Sequence, residues 1–332
     1  MPFVQVPGNP EPEGAEELWF EGPSKNGKGV KLRAMLAPAL SESGGRGPAR
    51  GSVILFNGRT EFVEKYFEVV GELQRRGFAV FTMDYRGQGL SDRELSNRLK
   101  GHFRSFEDPV QDVFTALRKY ADRLPRPHVV LAHSMGGCIA LRALQTNKIA
   151  ADGAVFNAPM WGIANLKGFA EDFAKFMSGI GLGGMFVPGV ETRWTRQSFK
   201  KNALTHDKER YLRAQGLIVA NKQLALAGPT LGWVTAALEA FEALRQPGAL
   251  KHLRLPVAVT SAGEESLVDN TSHVEICSLL PNATHVVIPG AHHEIMMETD
   301  EIRSKFWAQF DRIADQAAPR AGMSAPAQQA GT

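Results

Sequence analysis

The first half of the chain is punctuated by short apolar runs at residues 53–56, 79–83, 128–132 and 154–156. Each run is continuous rather than alternating, the pattern of a strand buried on both faces of a parallel sheet. Between them, residues 62–75, 106–123 and 137–145 carry a helical period, with Val110, Val113, Phe114 and Leu117 on one stripe. Residues 16–38 read as a hairpin around Asn26-Gly27, and residues 41–51, rich in Ser, Gly, Pro and Arg, as a loop. Alternating strands and helices predict an α/β fold: a mostly parallel central sheet flanked by helices.

The rhythm stops at Trp161 and resumes with strands at 256–260 and 285–288 and a last helix over 300–317. The stretch between is helical in pattern. Hence residues 1–160 are expected to form the first part of a core and 247–316 its second part, with 161–246 a helical insertion after the sixth strand. Residues 317–332, rich in Ala, Gln, Gly and Pro, read as a disordered tail.

Composition narrows the function. The 332 residues are 43% hydrophobic and 22% charged, enough to bury a large core. A net charge of +3, dispersed and without an arginine-rich stripe, argues against a nucleic-acid partner. Cys138 and Cys277 are too few for a disulfide framework and read as small buried hydrophobes. The N-terminus lacks a basic, apolar leader and no apolar run is long enough to span a bilayer, so the expected location is cytoplasmic, with peripheral membrane contact left open. Neither a cofactor nor a metal is expected, and oligomeric state is not legible.

Ala132-His133-Ser134-Met135-Gly136-Gly137 lies between a predicted strand and a predicted helix. That context suits a nucleophile elbow, where small residues two before and two after the serine let the chain turn. A serine needs a base, and the expected chain order is Ser, acid, His. Only His292 and His293 follow the last predicted strand. The loop after the preceding strand offers three carboxylates, Glu264, Glu265 and Asp269. Asp269, ahead of a helical stretch, also suits an N-cap, while Glu265 lies nearer the strand end. Asn57-Gly58-Arg59 follows the first sheet strand, so the backbone amides of Arg59 and Met135 are the expected oxyanion donors.

These residues resemble the lysophospholipase/monoacylglycerol lipase group of α/β-hydrolases, in particular its bacterial lysophospholipase L2 branch, over residues 16–316. Phe56-Asn57-Gly58-Arg59-Thr60-Glu61-Phe62-Val63-Glu64-Lys65-Tyr66 resembles the group's oxyanion segment, where His-Gly is commoner than Asn-Gly. Asp84-Tyr85-Arg86-Gly87-Gln88-Gly89-Leu90-Ser91 matches its Asp-x-x-Gly-x-Gly-x-Ser loop, and Gly228–Trp233 resembles its insertion. Gly290-Ala291-His292-His293-Glu294 fits a Gly-Ala-x-His pattern, which implies His293 as the base. The group's Asp-x-φ-φ-Asp pattern lays Glu265 on the catalytic position and Asp269 on the later one, as fallback; glutamate there departs from the group.

The resemblance implies that the insertion is a cap over the site. Phe173, Met177, Phe186 and Trp233 are its expected contacts with an acyl chain. The expected activity is hydrolysis of carboxylic esters of single-chain lipids through an acyl-enzyme on Ser134. The alternatives are a small-molecule carboxylesterase or a C–C-bond hydrolase with the same triad, and a silent hydrolase-fold binding protein. Ser134 at the elbow disfavours the dehalogenases and epoxide hydrolases, which place aspartate there.

Overall fold

The computed structural model describes residues 3–23, 29–41, 45, 47–166 and 168–320. β1 (Glu16–Gly22) and β2 (Val30–Ala37) form an antiparallel hairpin with Glu16 opposite Leu36. Its expected Asn26-Gly27 turn lies outside the described residues. β3 (Gly51–Phe56), β4 (Phe78–Met83), β5 (His128–His133), β6 (Gly153–Asn157), β7 (Val257–Ala262) and β8 (Ala283–Ile288) complete one sheet of order β1-β2-β4-β3-β5-β6-β7-β8. β2 also pairs with β4 antiparallel, whereas every pairing from β4 to β8 is parallel. The inner strands β3, β4, β6 and β7 are buried along their whole length, the physical counterpart of their unbroken apolar runs. β8, at the edge, is only partly covered.

Helices cover both faces. α1 (Phe67–Arg75) and α8 (Asp300–Ala317) bury Phe67, Leu73, Phe306 and Phe310 against one side. α2 (Glu107–Lys119) and α3 (Met135–Gln145) bury Val110, Val113, Ile139 and Leu144 against the other. Two expected helices differ at their ends. The one expected from 62 opens as a 3₁₀ turn, Val63–Tyr66, because the Val63 amide is held by Asp84 Oδ1 at 3.0 Å. The one expected to run to 123 stops at Tyr120, whose ring lies against Phe20 and Phe81; a 3₁₀ turn, Ala121–Arg123, follows.

Three helices lie between β6 and β7: α4 (Phe169–Met177), α5 (Lys208–Ala220) and α6 (Leu231–Leu244). α6 is largely buried and shares an apolar cluster with α3 and the sheet, so by packing it belongs with the core. α7 (Asn270–Leu279) links β7 to β8. Ala318 is still buried; the expected disordered tail lies from 321 onward outside the described residues.

Under the sheet's hairpin edge, Arg33 is fully buried among acids. Its Nε donates to Asp84 Oδ2 at 2.7 Å, and its Nη1 and Nη2 donate to the two Glu64 oxygens at 2.7 and 2.8 Å. This network ties β2 to the loops after β3 and β4, on which part of the site is built.

Candidate active site

Ser134 occupies the junction of β5 and α3 with φ 49° and ψ −121°. A non-glycine residue rarely adopts such a backbone, and it persists only where its surroundings hold it. Here the Ser134 amide donates to Asn157 O at 3.2 Å, while Ser134 O accepts from the amides of Gly137 and Met160, both at 2.8 Å. The requirement for small residues is visible at Gly136. A Cβ there would fall 2.4 Å from the carbonyl oxygens of both Phe56 and Asn57. Ala132, in place of the commoner glycine, is accommodated fully buried.

Ser134 Oγ lies 2.9 Å from His293 Nε2, and His293 Nδ1 lies 2.8 Å from Glu265 Oε2. A carboxylate can only accept, so Nδ1 carries the hydrogen and Nε2 faces the serine as the acceptor. Glu265 Oε1 accepts from the amides of Ser266, Leu267 and Val268 at 2.9, 2.8 and 3.3 Å. Burial alone would raise this carboxyl. The bonds from His293 and from those amides outweigh it and hold the group at about 2. Asp269, the fallback acid, is instead the N-cap of α7, its Oδ1 accepting from the Thr271 amide at 3.0 Å. His292 turns away from the serine and stacks on His206 with ring centroids 3.9 Å apart.

The loop after β3 sits beside the serine and is braced from three directions. Gln88 Nε2 donates to Gly58 O at 2.9 Å and to Glu61 O at 3.0 Å, and Asn57 Nδ2 donates to Met83 O at 2.9 Å. Glu61 accepts from the Gly58 amide, from Tyr66 Oη at 2.6 Å and from Lys65 Nζ at 2.8 Å. Lys65 also donates to Glu294 at 2.6 Å, so a buried cation bridges the loop of Gly58 to the loop of His293. Burial opposes charge on all three groups, but the two carboxylates keep Lys65 protonated and Lys65 keeps Glu61 ionised, at about 2. Among the described residues, no acceptor takes the amide hydrogens of Arg59 or Met135. The Met135 side chain itself is buried in the core.

Gln88, Lys65, Tyr66 and Glu294 did not emerge from the sequence as parts of the site. Each lay inside a motif, Lys65 and Tyr66 in Phe56–Tyr66, Gln88 in Asp84–Ser91 and Glu294 beside His293, but the motifs gave none of them a role. His133 is a further neighbour, with its ring 4.8 Å from that of His293. Burial lowers its pKa to about 4, so it is neutral near pH 7 and donates from Nδ1 to Asn157 O at 3.0 Å.

Ser134 and His293 open into a cavity of about 450 Å³ between the sheet and the insertion. Arg59 and Trp233 line it. Phe173, Met177 and Phe186 do not: the first two pack their helix onto the core, and Phe186 bridges to Thr230 beneath Lys100. An apolar period tells which residues face inward, not whether they face packing or a ligand. The apolar wall is built instead by residues including Met160, Ile163, Leu166, Val187, Leu204, Val234 and Leu267. Among the described residues, one group of side chains has the chemistry to hold a metal, His206, Glu264 and His292, with ligand atoms all within 4.8 Å of one another. It lies at the surface, outside this cavity.

A mostly parallel eight-stranded sheet with a serine on a strained turn after its fifth strand defines an α/β-hydrolase. A family model described as serine aminopeptidase, S33 (Hydrolase_4), matches residues 47–300, and the chain belongs to that family. It is 34% identical over 269 residues to lysophospholipase L2 of Escherichia coli K12, covering 76% of each chain. Identity to the probable lysophospholipase L2 of Haemophilus influenzae is 31% over 261 residues, covering 76% of this chain and 80% of that one. A soluble variant of monoglyceride lipase from Saccharomyces cerevisiae, solved with a substrate analog, shares the fold with a TM-score of 0.71 and 17% identity over 96% of this chain and 99% of that one. A carboxyl esterase from Bacillus coagulans shares it with a TM-score of 0.69 and 17% identity over 92% and 99%.

Proposed function

We propose that the protein hydrolyses carboxylic esters of single-chain lipids, lysophospholipids or monoacylglycerols, through an acyl-enzyme on Ser134. The observation that carries this reading is the unbroken chain Glu265–His293–Ser134 opening into a cavity with an apolar wall. Relatives named lysophospholipase L2 support the same substrate class.

Ser134 gives its proton to His293 Nε2 as Oγ attacks the ester carbonyl. Glu265, already ionised, stabilises the imidazolium and keeps the ring in register. The amides of Arg59 and Met135 receive the developing oxyanion. His293 then protonates the departing alcohol. Water, activated by the same ring, releases the fatty acid and restores the serine.

An acyl chain gains about 0.8 kcal/mol for each methylene it buries. One chain suits a cavity of about 450 Å³ better than two. kcat/KM is therefore expected to rise with acyl length until the cavity is filled, and to fall sharply from monoacyl to diacyl esters. The test is a series of monoacyl esters beside diacyl analogues, below micelle formation, with Ser134→Ala as blank. A steady decline from acetate upward would turn the reading to a small-ester carboxylesterase. Failure of a fluorophosphonate to label Ser134 would turn it to a silent binding protein.

A further inference from the structure

Among the described residues, the other buried or half-buried arginines are matched to acceptors. Arg33 meets Glu64 and Asp84, Arg86 meets Asp112, and Arg303 meets Glu72. Arg93, without a carboxylate, is held by four backbone carbonyls. Arg59, itself half-buried, is different. Among the described residues its guanidinium makes one hydrogen bond, from Nη2 to Ala227 O at 2.8 Å. Its Nε is inaccessible and has no partner. No carboxylate pairs with it among the described residues, and burial alone lowers its pKa to about 10. The plane is supported by the Trp233 ring, 5.2 Å away. Both residues line the cavity that Ser134 and His293 open into. The two carboxylates in that wall, Glu61 and Glu294, are already engaged by Lys65.

A half-buried cation without a counter-ion gives up part of its hydration for no charge in return, a cost that a bound anion would offset. A guanidinium with free N–H groups, on a residue that lines the cavity Ser134 opens into, offers a fork for an anion with several acceptor oxygens. Glycerol separates the ester from the phosphate in a lysophospholipid, so both reach the walls of one cavity. We propose that Arg59 forms a phosphate subsite that reads the head group of lysophospholipids, and so distinguishes them from monoacylglycerols. This rests on the ester-hydrolase reading for its substrate, though not for the anion site itself. Arg86, in the loop after β4, is excluded by its bonds to Asp112 at 2.6 Å.

The test compares lysophosphatidylglycerol with a monoacylglycerol of the same chain, in parent and Arg59→Met proteins. The backbone amide survives the substitution, and any disturbance of its loop is shared by both substrates. The ratio of kcat/KM values, lysophospholipid over monoacylglycerol, is expected to fall about 10- to 100-fold. A merely structural arginine would lower the melting temperature; the unpaired cation predicts a melting temperature equal to the parent's or higher. An unchanged ratio overturns the proposal, and Arg59→Gln repeats the test should the methionine variant fail to fold. If the parent cleaves neither lipid, the lipid reading fails, and calorimetric titration of Ser134→Ala with glycerol 3-phosphate decides the subsite. Binding that disappears on adding Arg59→Met supports it. Equal binding in the two proteins, or binding of octanoate but not of glycerol 3-phosphate, overturns it.

Discussion

At φ 49° Ser134 holds a conformation that costs a non-glycine side chain on the order of 1–3 kcal/mol. The return is an Oγ lifted clear of the sheet and 2.9 Å from His293. The carboxylate bonded to His293 belongs to a glutamate, one methylene longer than the aspartate of the group the sequence resembles. Its second oxygen accepts from the amides of residues 266–268. Glu265→Gln is expected to lower kcat by orders of magnitude, since an amide cannot stabilise the imidazolium in the same way. Asp269→Asn should instead cost up to about 1 kcal/mol of stability with near-parental turnover, because its bond is to the α7 terminus. His293→Ala should abolish turnover and His292→Ala should be mild. Steady-state kinetics with urea melts on the four variants checks all of this; an inactive Asp269→Asn would exchange the roles of the two acids.

At the scale of elements, the site is a meeting of loops at the C-terminal ends of β3, β5, β7 and β8. Their relative positions depend on contacts between backbones. α3 approaches the end of β3 so closely that Gly136 has no room for a methyl group. Gly136→Ala must push α3 or the Asn57-Gly58-Arg59 loop aside, moving the amides of Met135 and Arg59, the proposed oxyanion donors, relative to each other. Turnover is expected to fall by at least about 100-fold, the order lost when one oxyanion donor is removed. The binding of a ground-state ester should change little. Stopped-flow acylation and a thermal melt separate the two effects; parental acylation would show that the loop position is not critical.

Across the whole molecule, buried titratable groups set the response to acid. His133 and His273 are both inaccessible and held neutral, at about 4, chiefly by burial. His273 is fixed between Ser261 Oγ and Pro159 O, both at 2.6 Å. An unfolded chain protonates these rings near 6.5. At these two rings the unfolded state therefore binds more protons between 6.5 and 4, lowering stability as pH drops, while Asp112, raised by burial to about 6, opposes them in part below that pH. The slope approaches about 1.4 kcal/mol per pH unit for each ring. Glu265 continues the trend lower, its contribution being lost as pH falls from its ordinary range towards 2. Denaturant melts from pH 8 to 5 are expected to show stability declining below about 6.5. His273→Gln should flatten that decline, and a parent with pH-independent stability over this range would contradict it.

The amino-acid sequence by itself determined the α/β sheet, the interruption after its sixth strand, the elbow at Ser134 and the pairing order of serine, acid and histidine. These are local properties: an apolar period, a small residue beside a turn, a motif of a few positions. It also marked Asp269 as a helix cap from its neighbours alone. It did not distinguish the walls of the cavity from the packing of the insertion, which is why Phe173, Met177 and Phe186 read as ligand contacts and Ile163, Leu204 and Leu267 went unread. Nor did it join Lys65 to both Glu61 and Glu294, or hold Gln88 under the Gly58 loop, since those pairings cross up to 229 residues of chain. The loneliness of Arg59 is likewise invisible in sequence. Whether a charge has a partner depends on what the folded chain brings within a hydrogen bond of it, and only the tertiary structure decides that.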